Sequence, residues 1–309
     1  MSSLLSGFKH HERRALAQAI SLIESSKAAD RSLALDLLAK LPKAEQPCIR
    51  LGISGPPGVG KSSLINLIGQ KLLNKNFRVA ILAIDPSSEV HHGSILADKT
   101  RMGELLNQQE IYIRPSSSGG ALGGITASTK DTIYALESFG FNFTIIETLG
   151  VGQSETLAFS LVDHFLVLLQ PGAGDHLQAL KKGLLERADF LAVNKYDGEL
   201  KSLAQATFNS LKAQFLLSAV EDFGIDNMLN TILASHEQLL KSNQLISRRQ
   251  QRLQAYVNYV FDQHLLARLK ERLDLSSPSQ QLVKDIARGD ALRPHIEQLV
   301  SSALAAVPD

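Results

Sequence analysis

Residues 55–62 read Gly-Pro-Pro-Gly-Val-Gly-Lys-Ser, and residues 194–197 read Asn-Lys-Tyr-Asp. The first string has the chemistry of a phosphate cradle. Backbone N–H groups can close around phosphate oxygens only where glycines leave room and permit the needed dihedrals. Lys61 then places a positive charge on the β- and γ-phosphates, and the Ser62 hydroxyl can ligate Mg²⁺. A helix starting near Lys61 would aim its positive end at the same anion. Gly55, Pro56, Pro57, Gly58, Val59, Gly60, Lys61, Ser62 and Ser63 are therefore the candidate phosphate-binding residues.

The second string has the chemistry of a guanine reader. An ionised carboxylate is acceptor-only, so Asp197 can take both N–H donors on the Watson–Crick edge of guanine. Adenine carries an acceptor at the corresponding ring nitrogen and leaves such a pocket unsatisfied. Lys195 can lay its alkyl stem along the base, and Asn194 can hold the loop together. Ser218-Ala219 is the candidate for a second base-contacting loop through its backbone. The two strings together, in this order, predict a GTP binder.

A metal beside the phosphates needs carboxylate. Mg²⁺ keeps several waters and takes one or two protein carboxylates. Asp85, Asp98 and Glu147 are the candidates, with Ser62. Glu147 opens Glu-Thr-Leu-Gly, so Gly150 could donate its N–H to the γ-phosphate. Lys61, Glu147 and Gln153 are the candidate catalytic residues. Three segments have the glycines and charges of nucleotide-responsive loops: 87–102, 151–155 and 171–183. His91-His92 invites a transition-metal reading, but two adjacent histidines without a nearby Cys make a poor site.

These residues need a scaffold that collects them. The middle of the chain alternates apolar runs with helical patterns, which predicts an α/β fold with a mostly parallel central sheet flanked by helices. Seven strands are expected: 49–54, 78–84, 111–114, 143–146, 165–169, 190–193 and 214–217. A helix is expected over 62–73. Most of the polar motifs above follow such a run, where ligands sit in open α/β sheets. His11 to Leu41 reads as two helices, and 227–272 as helical throughout. Further helices are expected at 278–288 and beyond Pro294. The domain reading is an N-terminal helical segment over 1–45, a nucleotide-binding domain over 46–225 and a helical extension over 226–309.

Of the 309 residues, 44% are hydrophobic and none is Trp, which suits a core of Leu, Ile, Val and Ala. With 32 basic against 31 acidic residues, the net charge of +1 gives no reason to expect nucleic acid. The single Cys48 excludes an internal disulfide and suits a reducing compartment. No apolar run reaches the roughly 18 residues that cross a bilayer. Glu12 and Glu24 argue against a transit peptide. A soluble cytoplasmic protein is expected.

The chain resembles the methylmalonyl-CoA mutase-associated GTPases of the MeaB/ArgK type, within the SIMIBI class of P-loop GTPases. The resemblance runs from about residue 11 to 270. It is carried most specifically by 83–88 (Ala-Ile-Asp-Pro-Ser-Ser), 93–102 (Gly-Ser-Ile-Leu-Ala-Asp-Lys-Thr-Arg-Met), 147–155 (Glu-Thr-Leu-Gly-Val-Gly-Gln-Ser-Glu) and 171–175 (Pro-Gly-Ala-Gly-Asp). It implies a homodimeric, Mg²⁺-dependent GTPase that assists an adenosylcobalamin-dependent acyl-CoA mutase, gating cofactor loading and protecting the mutase. By motif match it implies that Gly55–Ser63 bind phosphates, that Asp85, Asp98 and Glu147 serve the metal, and that 194–197 with Ser218-Ala219 bind guanine. Lys181 or Lys182 would couple to the partner.

Three departures stand out. The family commonly continues Asp-Pro-Ser-Ser with Thr-Arg-Thr-Gly-Gly, whereas residues 89–93 here are Glu-Val-His-His-Gly. His176 stands where an acid is usual, and no tryptophan follows Arg248-Arg249. Tyr256, Tyr259, Phe261, Leu265 and Leu266 could form a dimer seam or core. The rival readings are a P-loop ATPase or kinase, the arginine-ornithine transport label of ArgK relatives, and a metallochaperone using His91 or His92.

Overall fold

The computed structural model describes residues 2–25, 27–85, 105, 108–117, 128–148, 153–172 and 182–272. Three helices open the chain: α1 (Ser2–Lys9), α2 (Arg13–Ile23) and α3 (Ala28–Lys40). Of these, α1 was not foreseen. Helix α2 turns Ala15, Leu16, Ala19, Ile20 and Ile23 inward, the spacing of a single helical face.

Seven strands follow: β1 (Ile49–Ser54), β2 (Val79–Asp85), β3 (Ile111–Ser117), β4 (Phe143–Thr148), β5 (His164–Leu169), β6 (Phe190–Val193) and β7 (Phe215–Leu216). They form one sheet in the order β3-β2-β4-β1-β5-β6-β7. Every pairing in it is parallel. All seven expected strands are present; 49–54 and 190–193 have the expected bounds, and the other five differ at their ends by one to three residues. The strands β1, β4 and β5 are buried along their whole length, as a parallel sheet covered on both faces requires.

The covering helices are α4 (Lys61–Asn74), α5 (Thr129–Ser138), α6 (Gln153–Leu161), α7 (Lys182–Arg187), α8 (Lys201–Leu211) and α9 (Ile225–Lys241). Leu64, Ile65, Ile68 and Leu72 of α4 join Ile53, Ile81, Phe143, Ile145, Leu166, Met228 and Ile232 in one fully buried core. The stretch from 227 to 272 is not one helix. It breaks at 242–244, where Asn243 takes a left-handed conformation (φ 54°), and resumes as α10 (Leu245–Arg272). The expected helices at 278–288 and beyond Pro294 lie outside the described residues.

The chain divides into a unit Met1–Tyr256, which holds the sheet, and a unit Val257–Asp309. The described part of the second is the continuation of α10, where Phe261, Leu265 and Leu266 are exposed. Tyr256 belongs to the first unit. It is buried, and its hydroxyl accepts a hydrogen bond from the Lys130 N–H at 3.1 Å. The five aromatic and leucine positions thus do not share one environment. Among the described residues no helix is long and apolar enough to cross a membrane.

Candidate nucleotide site

Parallel pairing puts the carboxyl ends of all strands on one edge, and the sequence motifs gather there. Ile53 of β1 and Ala83 of β2 both stand level with Glu147 of β4. Ser54 of β1 stands level with Val167 of β5, and Val193 of β6 with Leu169 and Leu216. The loops leaving β1, β4, β6 and β7 therefore converge.

The loop after β1 turns sharply at Gly55, whose φ of 151° goes with a tight passage over β5. A Cβ there would lie 2.5 Å from the Leu168 carbonyl oxygen, so only glycine passes. Lys61 opens α4 and is almost wholly buried, with its ammonium donating to the carbonyls of Gly55 (2.7 Å) and Pro56 (3.1 Å). The loop thus wraps around its own lysine. That arrangement holds the charge within the loop instead of letting it extend into solvent.

Asn194 reaches this loop from β6. Its side-chain amide donates to the Val59 carbonyl at 2.8 Å, and the residue is 2% exposed. Gly60 sits directly beneath it in a left-handed conformation (φ 99°), and a Cβ on Gly60 would come within 2.5 Å of Asn194 Nδ2. One residue on, Lys195 is itself left-handed (φ 64°), which turns the chain so that Asp197 faces the next strand end. There the Ser218 hydroxyl donates to Asp197 Oδ2 at 2.6 Å. The Tyr196 N–H donates to the Leu217 carbonyl (2.9 Å), and Ser218 exchanges backbone hydrogen bonds with Phe223 at 3.0 Å. The carboxylate of Asp197 is thereby aimed by a buried hydroxyl, with Ala219 beside it.

The Ser62 hydroxyl lies 3.4 Å from Glu147 Oε1. Both are hard oxygen donors, and Glu147 is buried at the strand end. A hydroxyl and one carboxylate suit Mg²⁺, which fills the rest of its octahedron with water and phosphate oxygens. Among the described residues no group of three or more His, Cys, Asp and Glu could hold a metal ion by itself. The backbone of Asp85 ends β2, opposite Ser117 of β3 and one residue past the level of Thr148. Gln153 opens α6. Asp98, Gly150, His91, His92, His176 and Lys181, with 87–102 and most of the other two candidate switch segments, lie outside the described residues, as do the side chains of Asp85, Gln153 and Lys182.

Three features escaped the sequence reading. The Ser54 hydroxyl donates to Glu155 Oε1 at 3.5 Å, tying the root of the phosphate loop to the first turn of α6. The Gly172 N–H donates to Thr207 Oγ1 at 2.9 Å, so the start of segment 171–183 is fixed to α8. On the opposite sheet edge, Arg249 of α10 makes a two-point ion pair with fully buried Asp163 (2.6 and 2.7 Å) and also donates to the Cys48 carbonyl. Burial alone would raise the Asp163 carboxyl. The hydrogen bonds and charge of Arg249, with Arg50, outweigh it and hold the group below the usual carboxylate range. At Cys48 burial, with the Glu137 charge, pushes the thiol up to about 12, and Thr144 and Arg50 only partly offset this. The pattern Arg-Arg-x-x-Arg on one helix, with acids preceding two strands, was the available signal.

A parallel sheet with a glycine loop, a buried lysine and a carboxylate-tipped base loop at one edge defines a P-loop GTPase. The family model described as "Methylmalonyl Co-A mutase-associated GTPase MeaB" matches residues 16–274, and the chain belongs to that family. A relative in Caulobacter vibrioides is 51% identical over 61% of this chain and 58% of its own length. The mouse protein "Methylmalonic aciduria type A homolog, mitochondrial" is 34% identical over 94% of this chain and 76% of its own. The crystal structure of a protein named "LAO/AO transport system kinase" superposes with a TM-score of 0.70 at 27% identity, over 97% of this chain and 96% of that one.

Proposed function

We propose that this chain binds and hydrolyses GTP with Mg²⁺ at the carboxyl edge of its sheet, and does so as a homodimeric chaperone of an adenosylcobalamin-dependent acyl-CoA mutase. The observation that carries the nucleotide reading is the double closure of the site. Asn194 is bonded to the phosphate loop, and Asp197 is bonded to the second base loop. The family to which the chain belongs supports the mutase as partner. The exposed Phe261, Leu265 and Leu266 of α10 support a dimer seam.

In this reading Gly55–Ser63 surround the phosphates, and Lys61 neutralises charge that builds on the β- and γ-phosphate oxygens as water attacks. Ser62, Glu147, Asp85 and Asp98 would hold Mg²⁺, which would supply further charge neutralisation at the phosphates. Asp197 accepts from the guanine edge, with Ser218 fixing its rotamer and Ala219 contributing backbone. Gly150 and Gln153 belong to the γ-phosphate-sensing segment. Segments 87–102, 151–155 and 171–183 serve as switches, with Lys181 or Lys182 toward the partner. Ser54 and Glu155 join the second switch helix to the root of the phosphate loop.

The test is GTP turnover with and without candidate adenosylcobalamin-dependent acyl-CoA mutases, with ATP as the control nucleotide. Turnover of GTP that rises with one mutase is the expected result. Turnover unmoved by every mutase removes the chaperone reading and leaves the GTPase. A preference for ATP with transfer to an acceptor would favour a kinase, the activity for which the superposed transport-system protein is named.

A further inference from the structure

Away from the nucleotide edge, α6, α7 and α10 enclose a groove of about 460 Å³. Its walls carry Phe159 and Ser160 of α6, Arg187 of α7, and Arg248 and Arg252 of α10. Phe159 packs edge-on against Phe165 near the start of β5, which places the groove at the amino edge of the sheet. The phosphate loop leaves the opposite edge.

The charges in this groove do not balance. Arg248 and Arg252 both pair with Asp189, a single carboxylate that also accepts the Phe165 N–H. Arg187 makes no ion pair among the described residues; its guanidinium lies 5.8 Å from the Phe159 ring centroid. Two guanidinium groups therefore share one carboxylate, and the third has no ion partner among the described residues. Among the described residues, the buried Arg248 Nε has no hydrogen-bond acceptor. Like charges gathered along one groove are costly, and a bound oxyanion relieves that cost.

The geometry also suits such a ligand. Arg252 lies over Phe159 at 4.1 Å and spends its terminal nitrogens on the Val162 carbonyl and Asp189, so it is exposed Arg187, outside those pairs, whose planar fork is left to meet a ligand. Forked guanidinium donors match phosphate oxygens in pairs. The volume falls among small-molecule sites, which run from about 300 to 1,000 Å³.

We propose that the groove bounded by Phe159, Arg187, Arg248 and Arg252 is a second anion site, which takes a phosphate-bearing small molecule while guanine nucleotide occupies the phosphate loop. The guanidinium groups recognise the phosphoryl oxygens, and Phe159 and Ser160 form the floor. Nothing in this site is shared with the nucleotide edge.

The experiment uses the full chain held in excess Mg²⁺ and GDP, so that the phosphate loop is filled. Inorganic pyrophosphate is titrated calorimetrically at constant ionic strength, and hexaglutamate is titrated in parallel. Saturable binding of one pyrophosphate per chain is expected, weakened at least tenfold in Arg187→Gln with GDP affinity unchanged. Arg187 is exposed and outside the Asp189 pairs, so that variant should fold; Arg248→Gln provides a second reading of the same site. No saturable pyrophosphate uptake, equal affinity in Arg187→Gln, or uptake of hexaglutamate alone would overturn the proposal.

Discussion

The side-chain amide of Asn194 donates to the carbonyl of Val59 at 2.8 Å, so the first residue of the candidate base-reading motif is a strut of the candidate phosphate loop. The two motifs are 135 residues apart in sequence and form one rigid corner in space. Losing a buried hydrogen bond and stranding its partner costs about 1–3 kcal/mol. Asn194→Ala should therefore weaken guanine nucleotide binding by roughly tenfold, read by fluorescent-nucleotide titration. Gly60→Ala should be worse, because its Cβ meets Asn194 Nδ2 at 2.5 Å and its φ of 99° is strained for any side chain. The double variant relieves the clash and keeps the strain, so it should recover only part of the loss. Full recovery would show that the clash alone matters.

The Ser218 hydroxyl holds Asp197 Oδ2 at 2.6 Å. Asp197→Asn replaces an acceptor by a donor, so preference should move from GTP toward XTP, whose base carries an oxygen where guanine has its amino group. Ser218→Ala should keep the preference and lower affinity several-fold, near the ~1 kcal/mol of one hydrogen bond. Competition between GTP and XTP for each variant reads both effects. An unchanged base preference in Asp197→Asn would remove the residue from base reading.

Arg249 supplies two hydrogen bonds to Asp163, which is fully buried and also accepts the Arg50 N–H. Removing one partner of a buried pair leaves a bare charge, which costs about 3–5 kcal/mol. Arg249→Ala should lower the urea midpoint sharply, while the exposed pair Lys241–Glu237 can be broken with little effect. The reason for the difference is solvent: water screens the exposed pair and cannot reach Asp163. Comparable urea midpoints for the two variants would refute the anchor role of Arg249.

His164 and His236 are both buried, with ring centroids 5.7 Å apart. Burial pushes His164 down from 6.5 to about 4, an effect that the nearby Asp163 only partly offsets. His236 is lowered by burial as well. A histidine kept neutral by the fold takes its proton more readily in the unfolded chain. Its contribution to stability is thus intact above about pH 6.5 and declines as pH falls from there toward about 4. The full decline for His164 is about 3 kcal/mol. Urea melts at pH 7.5, 6 and 5 should show falling stability, and His164→Leu should flatten that slope. A slope equal to the parent's would assign the acid sensitivity to other groups.

The strand set and the candidate site strings were legible because their signals are local. Apolar runs of a few residues marked β1 through β7, and the glycines around Lys61 needed only neighbours to declare themselves. The break at 242–244 was not legible, since Leu, Ile and basic residues continue at helical spacing on both sides of Asn243. Helix α1 was missed as well: it is only eight residues long, and no acid marks its first turn.

By itself the sequence determined the fold class and presented the glycine–lysine loop and the Asn-Lys-Tyr-Asp string as candidates, because backbone permissiveness, side-chain charge and hydrophobic period are properties of short strings. The tertiary structure alone decided which motifs touch. Strand order places β4 between β2 and β1, and this brings Glu147 to Ser62 across 85 positions of sequence. Strand order likewise brings Ser218 to Asp197, and the folding back of α10 brings Arg249 to Asp163. These contacts depend on register and on exclusion of water over long sequence separations, and no residue pattern encodes either quantity locally.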